Sequence, residues 1–183
     1  MRELYFLHSS SRAVDVRDSQ HVECIRSIVF DADSRLMAVA GDDKLISVWE
    51  TATWSVVARG RPQKKVAAIA FAPSHAPTHV FAGDRFGDIV SFPLPPAVLE
   101  VARGGILSSS SSSSAASADA ATLQPCARTS FGHYSQITSL VLAGSPQRPL
   151  LISGDVDTRL RVGRFPHTFD IVSMCLGNRE CVV

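Results

Sequence analysis

The chain has 183 residues, 18 Lys and Arg against 17 Asp and Glu, and a formal net charge of +1. That length is enough for one sizeable core, and the balanced charge provides no global field to gather nucleic acid, so any RNA contact has to come from a local patch. It contains no run of roughly 18 apolar residues that would cross a membrane, and Met1 to His8 is too short and too polar for a signal peptide.

In chain order, residues 1–20 read as strand material that precedes a first unit. Ile25–Phe30, Leu36–Ala40, Leu45–Trp49 and Ser55–Ala58 are apolar, β-branched runs bounded by Gly, Asp and Ser, which favours four short strands over helices. The opening pattern returns at Val66–Phe71, followed by strands near His79–Ala82 and Asp88–Phe92. It returns again at Ile137–Leu142, followed by Leu150–Ser153, Arg159–Val162 and Phe169–Met174. Ile25 and Val66 are roughly 40 residues apart, the period of a propeller blade. Val66 and Ile137 are about 30 residues further apart than that period allows, which requires an insertion. Gly104-Gly105 leads into it: Ser108 to Ser114 are all serine, and an Ala/Ser/Asp stretch follows. Such a segment buries too little apolar surface to offset its ordering entropy, so 104–130 is expected to be a disordered loop. Asn178 and Val182 repeat the offset seen from His21 to Ile25 and from His133 to Ile137, as though a fourth unit begins. Residues 1–103 then hold the first strands and two units, and 131–183 hold the third unit and the start of a fourth. Three units and two partial ones do not obviously close a ring of four to eight blades, which reads as a fragment, a truncated gene model or a ring of few, irregular blades, with truncation favoured.

Four cysteines, Cys24, Cys126, Cys175 and Cys181, form no C-x-x-C pair. Without a secretion signal they read as buried thiols in an intracellular protein, not as disulfides or zinc ligands. Asp155 and Asp157 have no further run of ligand residues, so no metal site is expected. His21 and His133 precede the opening strands of their units, and Asp43 and Asp157 lie in the turns before the third strands. A Ser-His-Asp catalytic triad is one way to read these residues. No G-x-S-x-G elbow accompanies them, and the same pair occurs in two units, which catalysis does not require, so no catalytic residue is assigned.

The order Gly132-His133, apolar strand, Asp-containing turn, second strand resembles a WD40 repeat, which implies an all-β, WD40-type β-propeller, here incomplete. By that resemblance, His21 with Asp43 and His133 with Asp157 form buried hydrogen-bonded sets with a Ser such as Ser153 and with Trp49. Gly163 stands where Trp49 stands in the first unit, so the third set lacks its indole. The wording of the third unit is narrower. Gly132-His133-Tyr134-Ser135-Gln136-Ile137-Thr138, then Ser153-Gly154-Asp155-Val156-Asp157-Thr158-Arg159-Leu160-Arg161-Val162, then Cys175-Leu176-Gly177-Asn178-Arg179-Glu180-Cys181-Val182 resembles the non-catalytic WD-repeat subunit of the tRNA (guanine-N7) methyltransferase. Ala82-Gly83-Asp84-Arg85-Phe86-Gly87-Asp88-Ile89-Val90-Ser91-Phe92 in the second unit is similar to the same family, departing from it by the inserted Gly83 and by Phe86 at a usually small position.

The resemblance implies a nuclear scaffold that performs no chemistry and holds a catalytic, S-adenosylmethionine-using subunit as a heterodimer, with tRNA bound mainly through the complex. It implies that Arg161 and Arg159 anchor that partner, joined by Arg85. From the residues themselves, Arg59, Arg61, Lys64 and Lys65 put four cations in seven positions, a candidate RNA phosphate contact or a solvated loop. The chain has no glycine-rich cofactor loop of the G-x-G-x-x-G kind, so no cofactor is expected. The alternative function is a general WD40 adaptor for some other protein.

Overall fold

The computed structural model describes residues 21–72, 77–105, 120–125, 129–145, 147–165 and 170–176. The first unit gives β1 (Ile25–Phe30), β2 (Leu36–Gly41), β3 (Ile46–Glu50) and β4 (Ser55–Gly60). The second gives β5 (Val66–Phe71), β6 (His79–Asp84) and β7 (Asp88–Pro93), followed by a seven-residue helix, α1 (Pro96–Ala102). Then come β8 (Ala121–Leu123), β9 (Thr129–Gly132), β10 (Ile137–Ser145), β11 (Arg148–Asp155), β12 (Leu160–Arg164) and β13 (Ile171–Cys175). Among the described residues these strands form three antiparallel meanders: β1-β2-β3-β4, β5-β6-β7-β9 and β10-β11-β12-β13. β8 adds a fifth, parallel strand to the edge of the first.

The three sheets are repeats down to their irregularities. Each first pair carries a register shift at the same place, between Ile25 and Ser27, between Val66 and Ala68, and between Ile137 and Ser139. Each second turn holds one residue at positive φ: Lys44 (58°), Gly87 (96°) and Thr158 (68°). The register makes Gly41, Asp84 and Asp155 equivalent, since they pair with Ile25, Val66 and Ile137.

The sheets pack face to face in series, because each strand alternates and both faces of the middle sheet are apolar. Ala38, Ile46, Val48 and Ala58 of the first sheet meet Val66, Ile69, Val80 and Phe92 of the second, with Val98 and Val101 of α1 and Leu123 of β8 completing that core. Ala68, Ala70, Phe81 and Ile89 on the other face of the second sheet meet Ile137, Leu140 and Leu151 of the third. Phe81 takes Phe165 edge-on, with ring centroids 5.4 Å apart. The described sheets form an open row, an incomplete WD40-type propeller; its outward faces expose Ile28 and Phe30 at one end and Val141 and Ile171 at the other.

Two strands fall within residues 104–130, the span expected from composition to be a disordered loop. Ala121–Leu123 pairs with β4, and Thr129–Gly132 pairs with β7 as the fourth strand of the second sheet. The insertion therefore lies inside the second unit, between its third and fourth strands. Short alternating segments such as Ala121-Thr122-Leu123 fill a sheet edge with little apolar content, so composition alone conceals them. Residues 106–119 and 126–128 lie outside the described residues, as do residues 1–20, Asn178 and Val182. The cysteine expectation needs correcting for two residues: Cys24 and Cys175 are free thiols and both are exposed. Cys126 and Cys181 lie outside the described residues.

Candidate functional site

Most of the candidate residues, the histidine sets and Arg85, Arg159 and Arg161 among them, lie at the end of the sheets where the second turns are. In the third sheet, His133 Nδ1 is 2.8 Å from Asp155 Oδ2 and His133 Nε2 is 2.6 Å from Ser153 Oγ. His133 and Asp155 side chains are fully buried, and Ser153 is also inaccessible. Burial holds the His133 imidazole below its usual range; Asp155 pulls the other way but does not win. Burial also works against the charge of Asp155, but the Arg159 amide and the His133 ring keep its carboxyl lowered overall. The arrangement is a neutral imidazole donating from Nδ1 to a carboxylate and accepting a hydroxyl at Nε2. This is triad geometry with no route for a substrate, so it fixes the sheet end and exposes no nucleophile.

This corrects the aspartate expected from the sequence. Asp157 is 44% exposed, takes the Ser135 hydroxyl and sits 3.9 Å from Arg159; it does not reach His133. In the first sheet the expected Asp43 does serve. His21 Nδ1 lies 3.0 Å from both its carboxylate oxygens, and Asp43 also accepts the Val22 and Leu45 amides. The hydroxyl partner at His21 Nε2 is Ser47, at 2.8 Å on β3. Trp49 is not a member of the set: its Nε1 is buried and makes no hydrogen bond among the described residues.

Gly41 explains the difference. A Cβ there would lie 2.9 Å from Asp43 Oδ1 and 3.0 Å from His21 Nδ1. Asp43 thus reaches back over a vacant side-chain position, which in the third sheet Asp155 itself fills. The second sheet has Asp84 at that position and no histidine ahead of its opening strand. Lys64 takes its place, 2.6 Å from Asp88 and 3.7 Å from Asp84, over the ring of Phe86 at 4.8 Å. The Asp88 hydrogen bond raises the Lys64 ammonium above its ordinary range.

Of the three arginines implied as partner anchors, each has an intramolecular contact. Arg85 donates to Asp42 Oδ1 at 2.8 Å, across the junction between the first two sheets. Arg26, from the bulge of β1, donates to Asp42 Oδ2, which holds the Asp42 carboxyl low and the Arg26 guanidinium high. Asp42 is thus clamped from two sheets, a set that sequence reading missed because its members are far apart in the chain. Arg159 is 39% exposed beside Asp157. Arg161 is half-buried and donates to the Gly132 carbonyl, next to His133, so it does not stand on a fully solvated face. Both positive charges act on His133, which puts them at one end of the third sheet.

The four cations of residues 59–65 do not form one patch. Lys64 is held as described, and Lys65 Nζ is 2.9 Å from Glu23. Arg59 and Arg61 lie apart, in a groove beside β8. Among the described residues no group of His, Cys, Asp and Glu is arranged to hold a metal ion, and no helix is long and apolar enough to cross a membrane.

The family model for the WD domain, G-beta repeat, matches residues 16–50 and 124–162, the two stretches that contain the histidine sets. The chain is 28% identical over 165 residues to the non-catalytic subunit of tRNA (guanine-N(7)-)-methyltransferase of Dictyostelium discoideum, covering 90% of this chain and 33% of that protein. It is 24% identical to the Mus musculus protein of the same description, covering 87% and 32%. The chain spans about a third of the length of these curated relatives. Among solved structures, the computationally designed Ika4 protein superposes with a TM-score of 0.58 at 18% identity, covering 90% of this chain and 79% of that one, a likeness of fold alone. The chain carries two stretches that match the WD domain, G-beta repeat and is similar, along most of its length, to non-catalytic subunits of tRNA (guanine-N(7)-)-methyltransferase.

Proposed function

We propose that this chain is a non-catalytic scaffold that binds the catalytic subunit of tRNA (guanine-N7) methyltransferase and supports N7-methylguanosine formation in tRNA. The observation that carries the reading is the similarity to two such subunits over 87–90% of the chain, through both WD40 matches and the stretch between them. The chain contributes binding and no chemistry: among the described residues both Ser-His-Asp sets are buried. Its partner face is the turn end of the second and third sheets, where Arg85 and Arg159 are more than a third exposed and Arg161 lies behind them. Its working location is the nucleus.

Reconstitution tests the proposal. The chain alone should transfer no methyl group from S-adenosylmethionine to tRNA. Added to the separately purified catalytic subunit, it should co-elute as a heterodimer and raise N7-methylguanosine formation. A catalytic subunit that ignores the chain in both assays would remove the proposal, and exclusion of a tagged full chain from nuclei would remove the location.

A further inference from the structure

We infer that the groove where β8 joins the first sheet is a binding site for a phosphate group. The inference is independent of the methyltransferase reading, since it rests on side chains that reading does not use. β4 and β8 run parallel, with Arg59 paired to Thr122 and Gly60 to Leu123. Ala58 and Leu123 are buried in the core, so strand alternation carries Arg59, Arg61, Thr122 and Gln124 to the other face. All four line a groove of about 450 Å³. Ala120, Thr122, Leu123, Gln124 and Pro125 supply one wall of the groove, so this stretch beside the first sheet builds part of a site.

Two observations point to an anion. First, the groove has two guanidiniums and, among the described residues, no carboxylate in its lining. The neighbouring groove, of about 280 Å³, has one cation, Lys64, already neutralised by Asp84 and Asp88. Second, Arg59 Nε is buried and has no hydrogen-bond partner. The side chains of Arg26, Lys64, Lys65 and Arg85 all have carboxylates; those of Arg59 and Arg61 make neither an ion pair nor a hydrogen bond among the described residues. A buried donor without an acceptor is a standing cost that a ligand oxygen removes. Guanidinium forks match phosphate geometry, and the Thr122 hydroxyl and Gln124 amide add two uncharged donors. The phosphate is either free or part of an RNA backbone.

Two probes distinguish these sources: inorganic phosphate, followed by calorimetry, and a fluorescein-labelled RNA duplex, followed by anisotropy. Both are applied to the full chain and to R59Q/R61Q, T122V and the control R148Q, whose arginine is an exposed residue of the third sheet. The double variant should weaken binding at least about tenfold and reduce the salt dependence of RNA binding by about one to two phosphate contacts. T122V should weaken it about threefold, and R148Q less than twofold. Phosphate binding without RNA binding assigns the groove to the free ion; RNA binding that R59Q/R61Q abolishes assigns it to a backbone. If R59Q/R61Q unfolds, R61Q and T122V alone must still show the loss. The inference fails if neither probe binds the wild-type chain, or if folded variants bind as well as wild type.

Discussion

In the first sheet the histidine ahead of the opening strand is held by Asp43, two residues beyond the register position that Gly41 occupies. In the third sheet the equivalent histidine is held by Asp155, at that register position itself. The histidine, its hydroxyl partner and its role at the sheet end are preserved, while the carboxylate moves by two residues and the hydroxyl moves from β11 to β3. A small residue at the register position permits the longer reach; an acidic residue there makes it unnecessary. The second sheet goes further and replaces the histidine with Lys64. What the three repeats share is a requirement to satisfy donors and acceptors where strands end, met each time from whichever side chains the turn supplies.

The comparison can be broken at its tightest point. Gly87 sits at φ +96°, and a Cβ there would lie 2.3 Å from the His133 carbonyl oxygen and 2.7 Å from that of Ser135. Gly87→Ala should cost about 3 kcal/mol or more, from backbone strain and from loss of the second sheet's seat against the third, read as a lowered urea midpoint. Asp155→Ala should cost about 2–3 kcal/mol by taking the carboxylate from the buried His133 Nδ1, and Asp43→Ala about 2, whereas Asp157→Ala should cost less than about 1 because it is exposed. Equal losses at Asp155 and Asp157 would refute the assignment. The sharper experiment grafts one solution onto the other: Gly41→Asp in the Asp43→Ala background should recover at least half of the loss.

Acid should expose the same network. The His133 pKa is depressed by burial, so below about pH 6.5 the unfolded chain takes up a proton that the folded chain refuses, and stability falls with falling pH. Asp155 and Asp42 are depressed as well, so their contributions are intact above the ordinary carboxylate range and disappear only as the pH falls through their lower folded values. Between pH 7.5 and 5.5 the Tm of His133→Gln should fall less than that of wild type. His79 is also depressed by burial and contributes with the same sign in both proteins. The smallest effect is at the turn of the first sheet: Lys44 holds φ 58° where the second sheet uses glycine, and Lys44→Gly should raise stability by up to about 1 kcal/mol.

Strand positions were legible because β-branched runs stop at Gly, Asp and Pro: Ser55–Ala58 was expected and Ser55–Gly60 observed, Asp88–Phe92 expected and Asp88–Pro93 observed. The fourth strand of the second sheet was not legible, because Thr129–Gly132 pairs with β7 across the whole insertion. His21 and His133 were found from their offsets, but Asp155 and Asp157 lie two residues apart in the same turn. Only the register opposite Ile137 decides between them. Lys64 and Lys65 read as free cations because Asp88 and Glu23, which neutralise them, lie more than twenty residues away in the chain.

The scaffold reading stands on whether the turn end of the third sheet grips a catalytic partner. The direct measurement is the dissociation constant between the chain and the tRNA (guanine-N7) methyltransferase catalytic subunit, for wild type and for Arg159→Glu and Arg161→Glu, with the Tm of each variant taken alongside. Charge reversal at an interfacial arginine should weaken binding by about thirtyfold or more, since losing one member of a buried pair costs roughly 2–5 kcal/mol. Arg159→Glu should do so at unchanged Tm; Arg161→Glu should also lower the Tm, because it gives up its bond to the Gly132 carbonyl. Wild-type affinity in a folded Arg159→Glu and a folded Arg161→Glu would contradict the account.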